Sequence, residues 1–220
     1  MNITYWIHCC AGTGGLFLTS VVAQILGYDV KSNFSTTGHA HDMGQGNWRG
    51  ASDVCFIGNH WDLSYRPGVK LYYTHELPDG FAKKPGHKII LITTSPRDYR
   101  KVTELYVKKA WPDIWTKEEY DKWVSPTYPP YSLDNIRDSE LIVNDLVTTF
   151  EQTIIADWHQ RNSILDADYS IDFRTIMGLD DRDLVDDICA MIHGRATDTT
   201  RNYVKEYQQL NLELYFKNYV

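Results

Sequence analysis

The sequence predicts an α/β protein with a mostly parallel sheet. Three observations predict it. The chain opens with a strand, a glycine-rich turn and a helix. Short β-branched and aromatic runs then alternate with helical stretches, which is the pattern of a parallel sheet with crossover helices. The composition, 43% hydrophobic and 23% charged over 220 residues, is enough to bury one sizeable core without metal or disulfides.

Ile3 to His8 (ITYWIH) reads as a buried strand. It meets Cys9-Cys10-Ala11-Gly12-Thr13-Gly14-Gly15, and Leu16 to Leu26 is apolar enough for a buried helix that Gly27 stops. Lys31 to Gly50 loses all periodicity and reads as a long polar loop. Val54–Ile57 and Val69–Tyr73 are short strands, and Lys88–Thr93 (KIILIT) is the clearest strand in the chain. A helix follows through about Trp111, then a short helix over Lys117–Val124 and a Pro/Tyr loop over Ser125–Tyr131. Asp138–Arg161 reads as a long helix whose apolar face includes Leu146, Phe150, Ile154 and Trp158. Tyr169–Phe173 is the last strand, and Leu184–Ile192 and Thr200–Phe216 are terminal helices. The expected organisation is one domain over 1–220, with 112–166 a helical insertion or lid.

Charge and cysteine content narrow the function classes. Lys+Arg is 22 against Asp+Glu 29, a net charge of −7, which excludes a generally basic nucleic-acid coat. No apolar run approaches the ~18 residues of a membrane span, and Met1-Asn2-Ile3-Thr4 lacks a basic leader. Cys9, Cys10, Cys55 and Cys189 show no CxxC spacing, so free thiols in a reducing cytoplasm are expected.

Three segments carry candidate chemistry. The first is the glycine turn, Cys10, Ala11, Gly12, Thr13, Gly14 and Gly15. Between a strand and a helix, such a turn is either an anion cradle built of backbone N–H groups and a helix N-terminus, or a tight turn alone. It is neither GxxxxGK[ST] nor GxGxxG, and it holds no lysine. The second is Thr74-His75-Glu76-Leu77-Pro78 at a strand end. His75 there is either a general base, with an ordinary pKa near ~6.5, or a loop cap. The third is Thr93-Thr94-Ser95-Pro96-Arg97-Asp98 with Arg100, Lys101 and Thr103. It is a second phosphate site or a proline-started helix with solvated charges.

In this order the three segments resemble the cytosolic sulfotransferase pattern. That family places Thr-His-Leu-Pro before a Lys-Ile-Ile-Tyr-Val strand and an Arg-Asn-Pro-Lys-Asp turn. Here the counterparts are His75-Glu76-Leu77-Pro78, Lys88-Ile89-Ile90-Leu91-Ile92 and Ser95-Pro96-Arg97-Asp98. Tyr169-Ser170-Ile171-Asp172-Phe173 is similar to the family's Tyr-Glu-Asp-Leu strand, and the likeness covers roughly 3–112 and 168–194. The resemblance implies a P-loop NTPase-like three-layer sandwich with extra C-terminal helices. It also implies 3′-phosphoadenosine 5′-phosphosulfate as donor, and a small-molecule or glycan hydroxyl or amine as acceptor. By motif, His75 takes the place of the catalytic base and Gly12, Thr13, Gly14 and Gly15 take the 5′-phosphosulfate loop. Ser95 and Arg97 fall in the 3′-phosphate motif, with Arg100 and Thr103 as neighbouring candidates. The family's loop lysine falls on Cys10, and the arginine before its Asn-Pro falls on Thr94.

The remaining features have plainer readings. Gly38-His39-Ala40-His41-Asp42, with His60, could ligate metal but reads better as a mobile polar loop, with acceptor recognition as a third reading. Trp111, Trp115, Trp123 and Tyr128–Tyr131 are core or lid packing rather than stacking platforms. The 138–161 helix is structural or a homo-oligomer face. Asp180, Asp181, Asp183, Asp186 and Asp187 form a solvated helix start. The expected activity is sulfuryl transfer with no metal, no nucleic-acid partner and no membrane partner. A non-catalytic nucleotide- or phosphate-binding module and a P-loop kinase are the alternatives. Gly14→Val is expected to block the anion site with less harm to folding, provided Gly14 does not need positive φ.

Overall fold

β1 (Ile3–His8) is buried from Thr4 through His8, as a strand flanked on both sides must be. The computed structural model describes residues 3–10, 12–27, 55–56, 69–75, 77, 82–107, 140–217 and 219. The expected loop over 31–50, the 117–124 helix, the 125–131 loop, His39, His41, His60, Trp111, Trp115 and Trp123 lie outside them.

The chain divides into two compact units. One comprises Met1–Thr94 with Ile164–Val220, and the other comprises Ser95–Ser163. The first unit holds a five-stranded sheet of β1, β2 (Cys55–Phe56), β3 (Val69–Thr74), β4 (His87–Thr93) and β5 (Tyr169–Asp172). Their order is β2-β3-β1-β4-β5. β3, β1, β4 and β5 are parallel, with Ile7 opposite Tyr73 and Ile90, while β2 runs antiparallel along β3.

Strand alternation sorts the side chains into two faces. Tyr5, Ile7, Leu71, Tyr73, Ile90, Ile92 and Ile171 share one face, and all are buried. α1 (Gly15–Ile25) packs on β1 and β3, and on this face Gly15 meets Tyr73. On the other face Trp6 stacks on Tyr72 at 4.4 Å and donates its indole N–H to His87 Nδ1 at 3.3 Å.

α1 is buried on nearly every side, and its polar Thr19 and Ser20 return their hydroxyls to the Gly15 and Leu16 carbonyls. Three C-terminal helices follow: α5 (Phe173–Met177), α6 (Leu184–Ile192) and α7 (Asp198–Asn211), the last continuing as a π-helical stretch, Leu212–Phe216. Phe17 of α1 lies flat on Tyr207 of α7, with ring centroids 3.6 Å apart. Asp183 caps α6 by accepting from Val185 N and Asp186 N, as expected for the acidic run, and Arg201 ties α7 to Asp186 at 2.7 Å.

Lys83 and Lys88 both reach Asp168 at 3.0 Å, and Ile89 N–H donates to it at 2.8 Å. Burial alone would raise the Asp168 carboxyl, but the Ile89 N–H and the two ammonium groups outweigh it and hold its pKa down. The cluster fastens β4 to β5 at the sheet's amino edge.

The expected last strand ends one residue early. Asp172 accepts from Arg174 N at 2.8 Å and so starts α5 at Phe173, which Gly178 closes at φ 70°. An Asp followed six residues later by Gly is a readable short-helix signal.

The second unit contains a 3₁₀ turn, Pro96–Asp98, leading into α2 (Tyr99–Leu105). The long helix comprises α3 (Glu140–Phe150), a π-helical stretch Glu151–Ala156, and α4 (Asp157–Asn162). In this unit His159 stacks on Tyr99 at 5.0 Å and 10°, and meets the edge of Trp158. Its Nε2 is buried without a hydrogen-bond partner among the described residues, and burial pushes its pKa down to about 4.

A depressed folded-state pKa means that the unfolded chain takes up this proton first as pH falls. The contribution is therefore complete above the ordinary 6.5 and is lost between there and about pH 4. His159→Phe keeps the stacking and removes the proton. Urea midpoints should fall from pH 7 to pH 5 in the wild type, and by less in the variant. Identical slopes would exclude His159 as the cause.

Candidate functional site at the carboxyl edge of the sheet

The glycine turn leaves the carboxyl end of β1, the strand between β3 and β4. Cys9 N–H donates to Thr74 O at 3.2 Å, so pairing with β3 runs one residue past the strand end. Thr13 then folds the turn back on itself, since its hydroxyl donates to Cys10 O at 2.6 Å and its N–H to the same oxygen at 3.3 Å. Gly12 and Gly14 both sit at φ 83°, the left-handed region that disfavours a Cβ. Gly14 caps α1, whose first turn contains no acidic side chain. Its N–H groups have no partners within the helix, as at any helix start.

Gly14 and Gly15 are also held by packing. A Cβ on Gly14 would meet Ile176 at 3.0 Å, Met177 at 3.1 Å and the Tyr207 hydroxyl at 3.3 Å. A Cβ on Gly15 would collide with Cys9 Sγ and come within 2.7 Å of Tyr73 Cε2. The condition under which Gly14→Val harms folding less than anion binding, that Gly14 does not need positive φ, therefore fails. Positive φ costs a side chain about 1–2 kcal/mol, and the C-terminal helices leave no room behind it.

His75 lies one residue beyond β3 and is half-buried. Its Nε2 is 2.7 Å from the Tyr73 hydroxyl and its Nδ1 is 2.8 Å from Cys9 O. The structure thus joins His75 to the residue that opens the glycine turn. Tyr73 was not among the residues singled out from sequence. Its signal was there, because residues 73 and 75 of an extended chain point to the same side.

Cys9 Sγ lies 3.8 Å from His75 Nδ1, which suggests a thiol–imidazole dyad. The environment argues against one. Cys9 is fully buried, and burial pushes its pKa up to about 12 despite the Tyr73 and Thr13 hydroxyls beside it. A thiol that remains protonated is not a nucleophile. Cys10 is equally buried and supplies no cation.

At the end of β4, Thr94 is 7% exposed and its hydroxyl has no hydrogen-bond partner among the described residues. Continuing the alternation of Ile90 and Ile92 places it on the α1 side. In the second unit, Ser95 precedes the 3₁₀ turn without a side-chain cap, and Arg97 is an exposed side chain 3.6 Å from Asp98. Arg100 lies 3.9 Å from both Glu104 and Glu151. Thr103 is buried and donates its hydroxyl to Tyr99 O at 2.8 Å. Ala11, Glu76 and Pro78 lie outside the described residues.

Among the described residues no group of His, Cys, Asp and Glu is placed to hold a metal, and no helix is long and apolar enough to cross a membrane. Cys9, Cys10 and Cys189 are free thiols. No protein-family model, no curated protein and no solved structure matches the chain.

Gly15→Ala separates packing from helix propensity. Propensity alone favours Ala by about 1 kcal/mol. The collision with Cys9 and Tyr73 should outweigh this, for a net loss of roughly 1–3 kcal/mol in urea unfolding. A gain in stability would show that α1 can rise off the sheet without cost.

Proposed function

We propose that the chain is a sulfotransferase-like enzyme with a P-loop-type sandwich fold. It binds 3′-phosphoadenosine 5′-phosphosulfate and moves the sulfuryl group to a hydroxyl or amine of a small-molecule or glycan acceptor. The supporting observation is the glycine turn at the carboxyl end of a central parallel strand, with His75 tied to its first residue. β3 and β4 flank β1 on opposite sides, and in open α/β sheets ligands lie outside such carboxyl ends.

The turn suits an anion in two respects. Gly12 and Gly14 have the backbone freedom for a cradle, and the first turn of α1 carries no acid; at the end of the neighbouring β4, the buried Thr94 hydroxyl has a proton to donate. Gly12 to Gly15 would hold the 5′-phosphosulfate through backbone N–H groups. Ser95 and Arg97, with Arg100, are the motif-based candidates for the 3′-phosphate. The bound donor supplies the activated sulfuryl group. His75 Nε2 would take the acceptor proton, once the Tyr73 O–H has turned away from that nitrogen.

A second reading, a nucleotide- or phosphate-binding module without catalysis, is favoured by two observations. Cys10 provides no charge where the family has lysine, and both His75 nitrogens already have partners.

3′-Phosphoadenosine 5′-phosphate should raise the melting temperature more than AMP or ATP does, by mass action on the folded state. Equal shifts would remove the 3′-phosphate assignment. Thr94→Val should weaken that binding roughly tenfold while stability holds or rises, because it deletes a buried hydroxyl that has no partner among the described residues. Unchanged affinity would exclude Thr94. His75→Ala should lower sulfuryl transfer by about 10²–10⁴-fold with little change in donor affinity. Tight binding with no turnover in the wild type would favour the second reading.

A further inference from the structure

We infer that Tyr73 is the positioning residue of His75: together with the Cys9 carbonyl, it holds the neutral imidazole as the Nδ1–H tautomer with Nε2 as acceptor. The first step is elementary. A carbonyl oxygen has no proton, so the 2.8 Å contact between Nδ1 and Cys9 O requires the proton on Nδ1. A neutral ring then carries its lone pair on Nε2. The Tyr73 hydroxyl, 2.7 Å away, is the donor that meets it.

The second step is rigidity. Tyr73 is 7% exposed and its ring lies beneath the start of α1, where Gly15 leaves no room even for a methyl group. It meets the imidazole edge-on, with centroids 5.0 Å apart at 75°. The phenol therefore cannot swing away without lifting the helix. The Cys9 carbonyl is equally fixed, because the N–H of the same residue pairs with Thr74 O. Two rigid groups, one from each of two adjacent strands, thus bracket the two ring nitrogens. A histidine held in this way presents one defined nitrogen, as tautomer selection by a second hydrogen bond does elsewhere.

For the transfer reaction, an inference that rests on the function proposed above, the lone pair an acceptor must reach is the one the phenol occupies. Tyr73 would then align the ring before the acceptor arrives, and its O–H would turn aside about the C–O bond on binding while the ring stays in place.

The test is ¹⁵N-histidine NMR on the full chain at a pH above the imidazole titration, with His75 assigned by loss of its signals in His75→Ala. The expected pattern is a protonated Nδ1 and an unprotonated Nε2 shifted by a hydrogen bond. In Tyr73→Phe, Nδ1 should remain protonated while Nε2 moves to the position of a lone pair without a donor. If the variant does not fold, the wild-type spectrum alone decides. A neutral His75 protonated on Nε2 overturns the inference, and so does a folded Tyr73→Phe with unchanged His75 signals. The expected spectra without any sulfuryl transfer would support the Tyr73 assignment and count against the proposed activity. Transfer by a chain whose His75 is protonated on Nε2 would do the reverse.

Discussion

The closeness of α1 to the sheet at Gly15 is the constraint on which the rest of the first unit depends. The helix starts directly over Cys9 and Tyr73, and only a residue without a Cβ fits there. That closeness buries Cys9 completely, fixes the Tyr73 ring and brings the ends of β1 and β3 under one helix start. His75 takes its two hydrogen bonds from residues fixed in this way. Nearly every side of α1 is in turn buried, so the helix has little freedom to adjust.

The turn is supported from behind by residues far away in sequence. Ile176 and Met177 of α5 and Tyr207 of α7 close on Gly14, while Phe17 stacks on Tyr207. Gln208 donates to the Thr175 carbonyl at 3.0 Å and so joins α7 to α5 at the same place. The C-terminal helices thus act as the floor of the turn. This explains why its glycines serve two purposes at once. Positive φ shapes the backbone, and the missing side chains admit the neighbours.

Among the described residues, the electrostatics of the site are those of neutral groups. Cys9 is kept protonated by burial, Cys10 lies equally buried, and His75 is bracketed in a manner that suits an uncharged ring. Any anion at the turn would be met by backbone N–H groups and hydroxyls instead of by a lysine. Dipoles held rigidly in a poorly solvated place can stabilise developing charge without reorganising. The charged clusters lie elsewhere. Lys83, Lys88 and Asp168 gather at the opposite edge of the sheet, where they fasten β4 to β5.

The sequence by itself determined the α/β class, the strand–turn–helix opening and the principal strands, because each rests on local patterning. The run ITYWIH, the stretch KIILIT and the helix stop at Gly27 are readable from neighbours alone. The acidic helix start at Asp183 was likewise legible, since capping is a local act. Strand order, the antiparallel β2, and the partners of His75 were not, because pairing joins residues such as Cys9 and His75 that are 66 positions apart. The role of Gly14 shows the same division. Its place in a turn is written in the local composition. Its need for positive φ and its contact with Tyr207 were decided by helices that pack against it from the far end of the chain.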